Sequence, residues 1–212
     1  KRSFENSVLL KSRGVKVAEP IGYIEVFDRF RLRQSYFISS KLDFDFSLNA
    51  LTEKKIEGYK DILSKFIHYT YELHKKNIMH LDYGGENICI KKTTSGYDFY
   101  LVDLNRLKDG TVSEKKGVKN LSHISNDPEI IKIIADAYAT KISYSSIKTH
   151  KELKKFVSQF RQRLKLKKSL KSTLTNISHI PSSSYKWDYH SNQPHTLKNK
   201  KLKNKIFFLA FF

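Results

Sequence analysis

Apolar positions follow a helical period over one long stretch of the chain. Between residues 52 and 74 they recur three and four positions apart, which places them on one face of a helix. That face carries Ile56, Tyr59, Leu63, Phe66, Ile67, Thr70 and Leu73. Thr52 is a suitable N-cap, with Glu53 and Glu57 early in the helix. We therefore predict a single helix over residues 52–74.

Two segments that follow this helix have the composition of β-strands. Residues 88–90 are apolar, and residues 97–104 are rich in aromatic and branched side chains. Residues 93–96 between them read Thr-Thr-Ser-Gly, which is typical of a turn. The three segments together predict a β-hairpin.

Two further helices are predicted towards the C-terminus. Asn126 and Asp127 precede Pro128, which is a favoured residue at the first position of a helix. Residues 148–171 place apolar side chains on one face and crowd lysine and arginine on the others. The apolar face consists of Leu153, Phe156, Val157, Phe160 and Leu164. Such a basic amphipathic helix can pack in a core or lie against an anionic membrane.

The loop between the long helix and the hairpin contains a catalytic pattern. It reads HLDYGGENICI over residues 80–90, and its His80, Asp82 and Asn87 have the H-x-D-x-x-x-x-N spacing of the protein-kinase catalytic loop. In that loop the aspartate faces the substrate hydroxyl, and the asparagine turns back to bind a metal ion. We predict Asp82 and His80 as catalytic residues and Asn87 as a cofactor and metal ligand.

The hairpin would carry a second aspartate back to this loop. Asp103 follows Leu101 and Val102, in the place of the metal-binding aspartate of the kinase D-F-G signature, although the sequence here is Asp-Leu-Asn. We predict that Asp103 shares Mg²⁺ and the ATP phosphates with Asn87. The alternative is that His80 is a buried structural histidine, and that Asp82 and Asn87 are ordinary turn formers. The order of helix, loop, hairpin and second aspartate is that of a kinase C-terminal lobe and favours the catalytic interpretation.

The N-terminal third carries motifs that narrow this interpretation. They are KRSFENS at 1–7, LLKSRGV at 9–15, EPIGYIE at 19–25 and SYFIS at 35–39. With the catalytic stretch, residues 1–107 resemble the bacterial lipopolysaccharide kinase family, whose members phosphorylate Kdo or heptose of the inner core. Trp187, Asp188 and Tyr189, with Ser191, Gln193 and Pro194, resemble the end of its Bacteroidetes-type members.

The resemblance implies an α/β (α+β) protein-kinase-like fold. Residues 1–42 would be part of the small N-terminal lobe, with helix C and the strands that lead to the hinge. Residues 43–195 would form the helical C-terminal lobe, and residues 196–212 a basic and then apolar tail. Glu5 falls where the glutamate of helix C pairs with the lysine that grips the nucleotide phosphates, so it is expected to be cofactor-binding.

The resemblance also implies the reaction and its place in the cell. The cofactors would be ATP and Mg²⁺, and the acceptor Kdo-lipid A or core lipopolysaccharide. The enzyme would be cytoplasmic and peripheral at the inner membrane. The sequence contains no G-x-G-x-x-G loop and no V-A-I-K-like strand, so we expect the nucleotide lid and its lysine to precede residue 1.

Charge is the second informative property of the chain. Forty Lys and Arg against 21 Asp and Glu give a net charge of +19, which favours an anionic partner. Anionic lipid, nucleic acid and acidic lipid A precursors all qualify, and a solvated lysine-rich surface is the plain alternative. The sequence has no zinc-finger spacing, helix-turn-helix signature or P-loop, so no specific nucleic acid is expected.

Two other functions remain compatible with the sequence. A small-molecule or protein kinase of the same fold would share every catalytic residue named above. A pseudokinase remnant or a basic anion-binding protein would keep the fold without the reaction.

Overall fold

The structure, a computed structural model, describes residues 1–177 and 206–211. Six helices lie within these residues: α1 (Arg2–Ser12), α2 (Leu48–Lys54), α3 (Tyr59–Lys75), α4 (Glu114–Leu121), α5 (Pro128–Ala139) and α6 (Ser146–Ile177). Eight strands accompany them: β1 (Pro20–Asp28), β2 (Arg31–Ser40), β3 (Phe46–Ser47), β4 (Ile78–His80), β5 (Ile88–Thr93), β6 (Gly96–Leu101), β7 (Leu107–Asp109) and β8 (Ile206–Phe211).

The N-terminal part is a small sheet with one helix beside it. Strands β1 and β2 form an antiparallel hairpin, and β8 pairs antiparallel with the other edge of β2. Helix α1 packs on the hairpin, where the rings of Phe4 and Tyr23 lie 5.5 Å apart. Part of the predicted tail is therefore a strand that docks on the small sheet.

Helix α3 lies at the centre of the larger lobe. Its buried face consists of Ile62, Leu63, Phe66, Ile67, Thr70, Leu73 and His74. Helix α5 packs along α3, and α6 packs on both α4 and α5. The hairpin of β5 and β6 is extended by β3, and β4 pairs with β7. The predicted hairpin is confirmed, and the sheet and α3 enclose the loop between β4 and β5.

The prediction of one helix over residues 52–74 is wrong. The chain forms α2 and α3 instead, because Lys55 (φ 45°) and Gly58 (φ 74°) adopt left-handed conformations that a helix cannot contain. Thr52 is buried inside α2 and is not an N-cap. Ser47 caps α2, with its hydroxyl accepting the backbone N–H three residues later.

The predicted C-terminal helices are present. Helix α5 begins at Pro128, with the Asp127 carboxylate accepting two backbone N–H groups of its first turn. Helix α6 contains the predicted stretch, and Leu153, Phe156 and Val157 are buried in the core. None of the described helices combines the length and the apolar content that a membrane span requires.

Candidate active site

The loop between β4 and β5 is fixed by the ring of His80, which is buried at the end of β4. Its Nε2 donates to the carbonyl oxygens of Val102 (3.1 Å) and Asp103 (3.0 Å), and its Nδ1 accepts the backbone N–H of Asp82 (3.2 Å). These partners require the neutral tautomer with its proton on Nε2. Burial lowers the pKa of His80, which agrees with a neutral ring. His80 thus joins the loop to the segment that follows β6.

Asp82 and Asn87 are linked across the loop. The side-chain Nδ2 of Asn87 donates to the backbone oxygen of Asp82 (2.8 Å). The Asp82 carboxylate is about half exposed, and its Oδ2 lies 3.4 Å from Nη1 of Arg106. The backbone of Asp82 is therefore held from both sides, whereas its carboxylate remains accessible to an incoming substrate.

The close fit of the loop against α2 depends on Gly85. A Cβ atom at this position would lie 2.8 Å from the backbone nitrogen of Asn49 and 2.9 Å from its Cα. Such contacts with backbone atoms cannot be relieved by a side-chain rotation. Any larger residue at Gly85 would push the loop between Asp82 and Asn87 away from α2.

Asp103 has a strained backbone and an unsatisfied carboxylate. It adopts a left-handed conformation (φ 53°), which aspartate tolerates better than most residues with a side chain. Its Oδ1 atom is buried without a hydrogen-bond partner among the described residues. A buried carboxylate oxygen without a partner is costly, so this atom is expected to meet a cation or a donor from a ligand.

Asn87 and Asp103 are among the residues that line a cavity between the two lobes. The cavity has a volume of about 560 Å³ and is otherwise mainly apolar. Its other lining residues are Ser3, Ala18, Phe37, Ser39, Ser40, Lys41, Leu42, Phe44, Glu86, Cys89, Leu101, Val102 and Leu104. A largely apolar cleft with a few convergent polar groups is the usual form of a small-molecule site. The volume and the few polar lining groups together suit a ligand of the size of a nucleotide.

Glu5 is not brought to this cavity. Its side chain is exposed on α1 and lies 3.8 Å from Nζ of Lys1. The next residue, Asn6, contacts the segment that follows Asp103, since its Nδ2 donates to the carbonyl oxygen of Leu104 (2.5 Å). Sequence reasoning missed Asn6, although Ser3, Ser7 and Leu10 mark the buried face of α1 on which it borders. Sequence reasoning also missed Arg106, which lies three residues after Asp103 and whose Nη1 is 3.4 Å from the Asp82 carboxylate.

Comparison with known proteins identifies the family. The lipopolysaccharide kinase (Kdo/WaaP) family matches residues 2–149, which is more than half of the chain. The chain belongs to this lipopolysaccharide kinase family. The predicted family is therefore confirmed, and membership makes the chain a phosphotransferase. A search of the curated protein sequences gives no significant match.

The solved structure of WaaP agrees with the family on the fold. WaaP in complex with acyl carrier protein has a TM-score of 0.55 at 11% identity, and the alignment covers 77% of this chain and 74% of WaaP. The Rio2 kinase of Chaetomium thermophilum, solved as its ADP/Mg²⁺-phosphoaspartate complex, aligns with a TM-score of 0.41 at 14% identity, covering 76% and 53%. The yeast RNA polymerase II CTD kinase CTDK-1 complex gives 0.35 at 13% identity, covering 70% and 54%. The WaaP likeness confirms the predicted protein-kinase-like fold of this lipopolysaccharide kinase.

Two of the polar groups that line the cavity fit a divalent cation. Asp103 offers a buried oxygen without a partner, and Asn87 has a free amide oxygen because its Nδ2 is engaged with the loop. Mg²⁺ in nucleotide sites is bound by one or two protein oxygens together with phosphates and water. The described residues contain no cluster of three or more His, Cys, Asp or Glu that could form an all-protein metal site. A cation here would be shared with a bound nucleotide.

We expect this kinase to lose stability as the pH falls below about 6.5, because burial lowers the pKa of His74, His80 and His123. The unfolded chain takes up these protons at the ordinary histidine pKa of 6.5, whereas the folded chain resists them. Proton uptake therefore favours unfolding. Urea titrations at about pH 7.5 and about pH 5.5 would measure the loss in free energy of unfolding. Both pH values lie above the range in which most carboxylates take up protons.

His123→Phe is the matched variant for this experiment. The His123 ring stacks on Phe160 with centroids 4.1 Å apart, a contact that phenylalanine can retain. The variant removes one histidine of lowered pKa, so its stability should depend less on pH. Equal stability of the parent at both pH values would contradict the prediction.

Proposed function

We propose that this lipopolysaccharide kinase transfers the γ-phosphoryl group of Mg-ATP to a sugar hydroxyl of the inner core, either Kdo or heptose. One observation carries the proposal. Asn87 and Asp103, from two separate chain segments, both line the interlobe cavity, and the accessible Asp82 carboxylate lies on the same loop as Asn87. Phosphoryl transfer depends mainly on positioning and on charge stabilisation, and these three residues supply both.

Each residue has a distinct role in this reaction. Asp82 orients the acceptor hydroxyl and takes up its proton as the new P–O bond forms and the bond between the γ-phosphorus and the leaving oxygen of ADP breaks. Asp103 and Asn87 hold Mg²⁺ against the nucleotide phosphates, which neutralises charge that builds up on the transferred group. His80 stays neutral and keeps the backbones of Asp82 and Asp103 at a fixed separation. The apolar part of the cavity accommodates the adenine.

The acceptor is tested by transfer from radiolabelled ATP to defined substrates. Kdo-bearing lipid A, a heptose-bearing core oligosaccharide and a generic protein substrate would be compared under identical conditions. We expect label on a sugar acceptor and none on the protein. Label on the protein alone would make this chain a kinase of another substrate class, and nucleotide binding without transfer to any acceptor would favour a non-catalytic role.

We also propose that the second half of α6 meets an anionic membrane. Past Phe160 the helix leaves the core, and Leu166 and Leu170 are each 64% exposed one turn apart. Exposed basic residues surround them: Arg163, Lys165, Lys167 and Lys168. Exposed leucines between lysines are typical of helices that lie at a membrane interface. This contact would bring the active site to an acceptor that is itself embedded in the inner membrane.

Replacing Lys165, Lys167 and Lys168 with glutamate is expected to weaken binding to phosphatidylglycerol vesicles by about a hundredfold or more, because each basic residue contributes roughly 1 kcal/mol near an anionic surface. Binding of the parent should also weaken as salt is raised. Vesicle co-sedimentation over a salt series would measure both effects. The control replaces the exposed Lys108, Lys115 and Lys116, which makes the same change in net charge elsewhere. Equal losses in the two triple variants would mean that net charge, rather than α6, causes the binding.

A further inference from the structure

A chain of buried hydrogen bonds runs from the helices of the large lobe to the backbone of the catalytic loop. The hydroxyl of Tyr138 on α5 lies 2.7 Å from Nδ1 of His74 on α3. Nε2 of His74 lies 3.1 Å from Oδ1 of Asn120 on α4, and Nδ2 of Asn120 donates to the carbonyl oxygen of His80 (2.8 Å). Three helices therefore converge through polar atoms on the strand that ends at the active site.

The donor and the acceptor of each hydrogen bond can be assigned by starting from the His80 carbonyl, the last group in the chain of bonds. The His80 carbonyl can only accept, so Nδ2 of Asn120 faces it and Oδ1 of Asn120 must be an acceptor. His74 then donates from Nε2, and its neutral ring accepts the Tyr138 hydroxyl proton at Nδ1. A neutral His74 satisfies every group in the chain with one arrangement of protons. Burial lowers the pKa of His74, which is consistent with the neutral ring.

All four residues are deeply buried. Tyr138 is 2% exposed, His74 and Asn120 are each 6% exposed, and His80 is 1% exposed. Polar groups at such sites are costly unless they are fully paired, and an apolar core would avoid that cost. A fully paired network in a core fixes one arrangement of its members. Here the member at the end of the network is the histidine that holds both catalytic segments.

Gly117 is an independent sign that the fold makes room for this network. It lies in the interior of α4, where glycine is the least favourable residue after proline. A Cβ atom at this position would lie 2.1 Å from the Tyr138 hydroxyl oxygen and 3.0 Å from Nδ1 of His74. Helix α4 can approach the pair only with a glycine at this point.

We propose that Asn120, His74 and Tyr138 are positioning residues for phosphoryl transfer, which rests on the proposed function. Asn120 fixes the His80 carbonyl, and His74 and Tyr138 fix Asn120. The His80 ring then fixes the Asp82 N–H on one side and the carbonyls of Val102 and Asp103 on the other. The network thereby sets the distance between the carboxylate that faces the acceptor and the carboxylate that faces the metal.

The test replaces Asn120 with aspartate, which keeps its shape and the acceptor for His74 but removes the donor to His80. The single-turnover rate should fall about tenfold to a hundredfold, because small displacements remote from the reacting atoms have effects of that size. The affinity for a nonhydrolysable ATP analogue should change little, since no network residue lines the cavity. Amide hydrogen exchange should become faster in residues 81–87, where the Asp82 N–H depends on His80.

Two variants separate positioning from general stability. Ser122→Ala removes a buried hydroxyl at the end of the same helix, whose bond goes to the Lys119 carbonyl (2.7 Å) and not to the network. It should leave the rate and the exchange of the loop at parental values. Tyr138→Phe removes only the outermost bond and should give a smaller loss of rate than Asn120→Asp. If Asn120→Asp does not fold, Asn120→Ala is measured in the same way.

The outcomes also separate this inference from the proposed function. Parental rate and parental loop exchange in Asn120→Asp would overturn the positioning role. Losses equal to those of Ser122→Ala would overturn it as well, because they would reflect stability alone. If the parent transfers no phosphate, the proposed function fails. The exchange of residues 81–87 still decides whether Asn120 holds the loop.

Discussion

Asp82→Asn is expected to lower the rate of phosphoryl transfer by about a thousandfold, because it removes the carboxylate that orients the acceptor hydroxyl and takes its proton. Asparagine keeps the size and shape of the side chain. The loop should also keep its conformation, since the backbone of Asp82 is held by His80 and Asn87 and not by its own carboxylate. Nucleotide affinity in the presence of Mg²⁺ should therefore remain close to that of the parent.

The measurement pairs a single-turnover assay with titration of a nonhydrolysable ATP analogue. Asp61→Asn is the control, because Asp61 is an exposed aspartate on α3 whose partner is Lys65 one turn away. It should behave as the parent in both measurements. Near-parental transfer by Asp82→Asn would show that residues 80–87 are not a catalytic loop, and lost nucleotide binding would show that the substitution disturbs the cavity.

The features that could be predicted from the sequence are those set by short spacings. Asp82 and Asn87 are five positions apart in one short loop, which limits the distance between them. Asp103 comes back to this loop because a hairpin with a recognisable turn precedes it. The start of α5 could be predicted because Asp127 and Pro128 act within one turn of the helix. In each case the chemistry that determines the structure lies within a few residues of the feature.

The features that could not be predicted depend on contacts between distant segments, or on which of two neighbouring residues in a helix makes a contact. Glu5 and Asn6 differ by one position, about 100° around α1, and only the packing of α1 against the rest of the fold decides which of them contacts Leu104. The break between α2 and α3 needs a left-handed Lys55 as well as Gly58, and lysine gives no sequence signal for that conformation.

The network behind the catalytic loop illustrates the same limit. Asn120 and Tyr138 lie 46 and 64 residues after His74 along the chain, and none of the three belongs to a motif. Even Gly117 gives no signal alone, since an isolated glycine in a helical pattern is tolerated for many reasons. Only the folded arrangement of α3, α4 and α5 shows that these residues converge on one carbonyl group.

Asp103→Asn is expected to change nucleotide binding as well as the transfer rate, unlike Asp82→Asn. In the proposed mechanism Asp103 binds the cation, whereas Asp82 contacts the acceptor. Asparagine tolerates the left-handed backbone that Asp103 adopts, so the substitution removes charge without adding strain. The transfer rate should fall by about a hundredfold or more, since a bound metal contributes several kcal/mol to charge stabilisation in the transition state. In contrast to Asp82→Asn, the increase in nucleotide affinity that Mg²⁺ causes should also be lost.

Nucleotide titrations with and without Mg²⁺ distinguish the two variants. Asp98→Asn is the matched control, because Asp98 lies on β6, five residues before Asp103, and pairs with Lys16 away from the cavity lining. In the absence of Mg²⁺, Asp103→Asn should bind nucleotide as well as the parent or better, since removing a carboxylate reduces repulsion of the phosphates. Full Mg²⁺ enhancement in Asp103→Asn would contradict its assignment as a metal ligand. The unpartnered Oδ1 atom would then require a ligand donor other than the cation, and Asn87 would remain the predicted metal ligand on the loop.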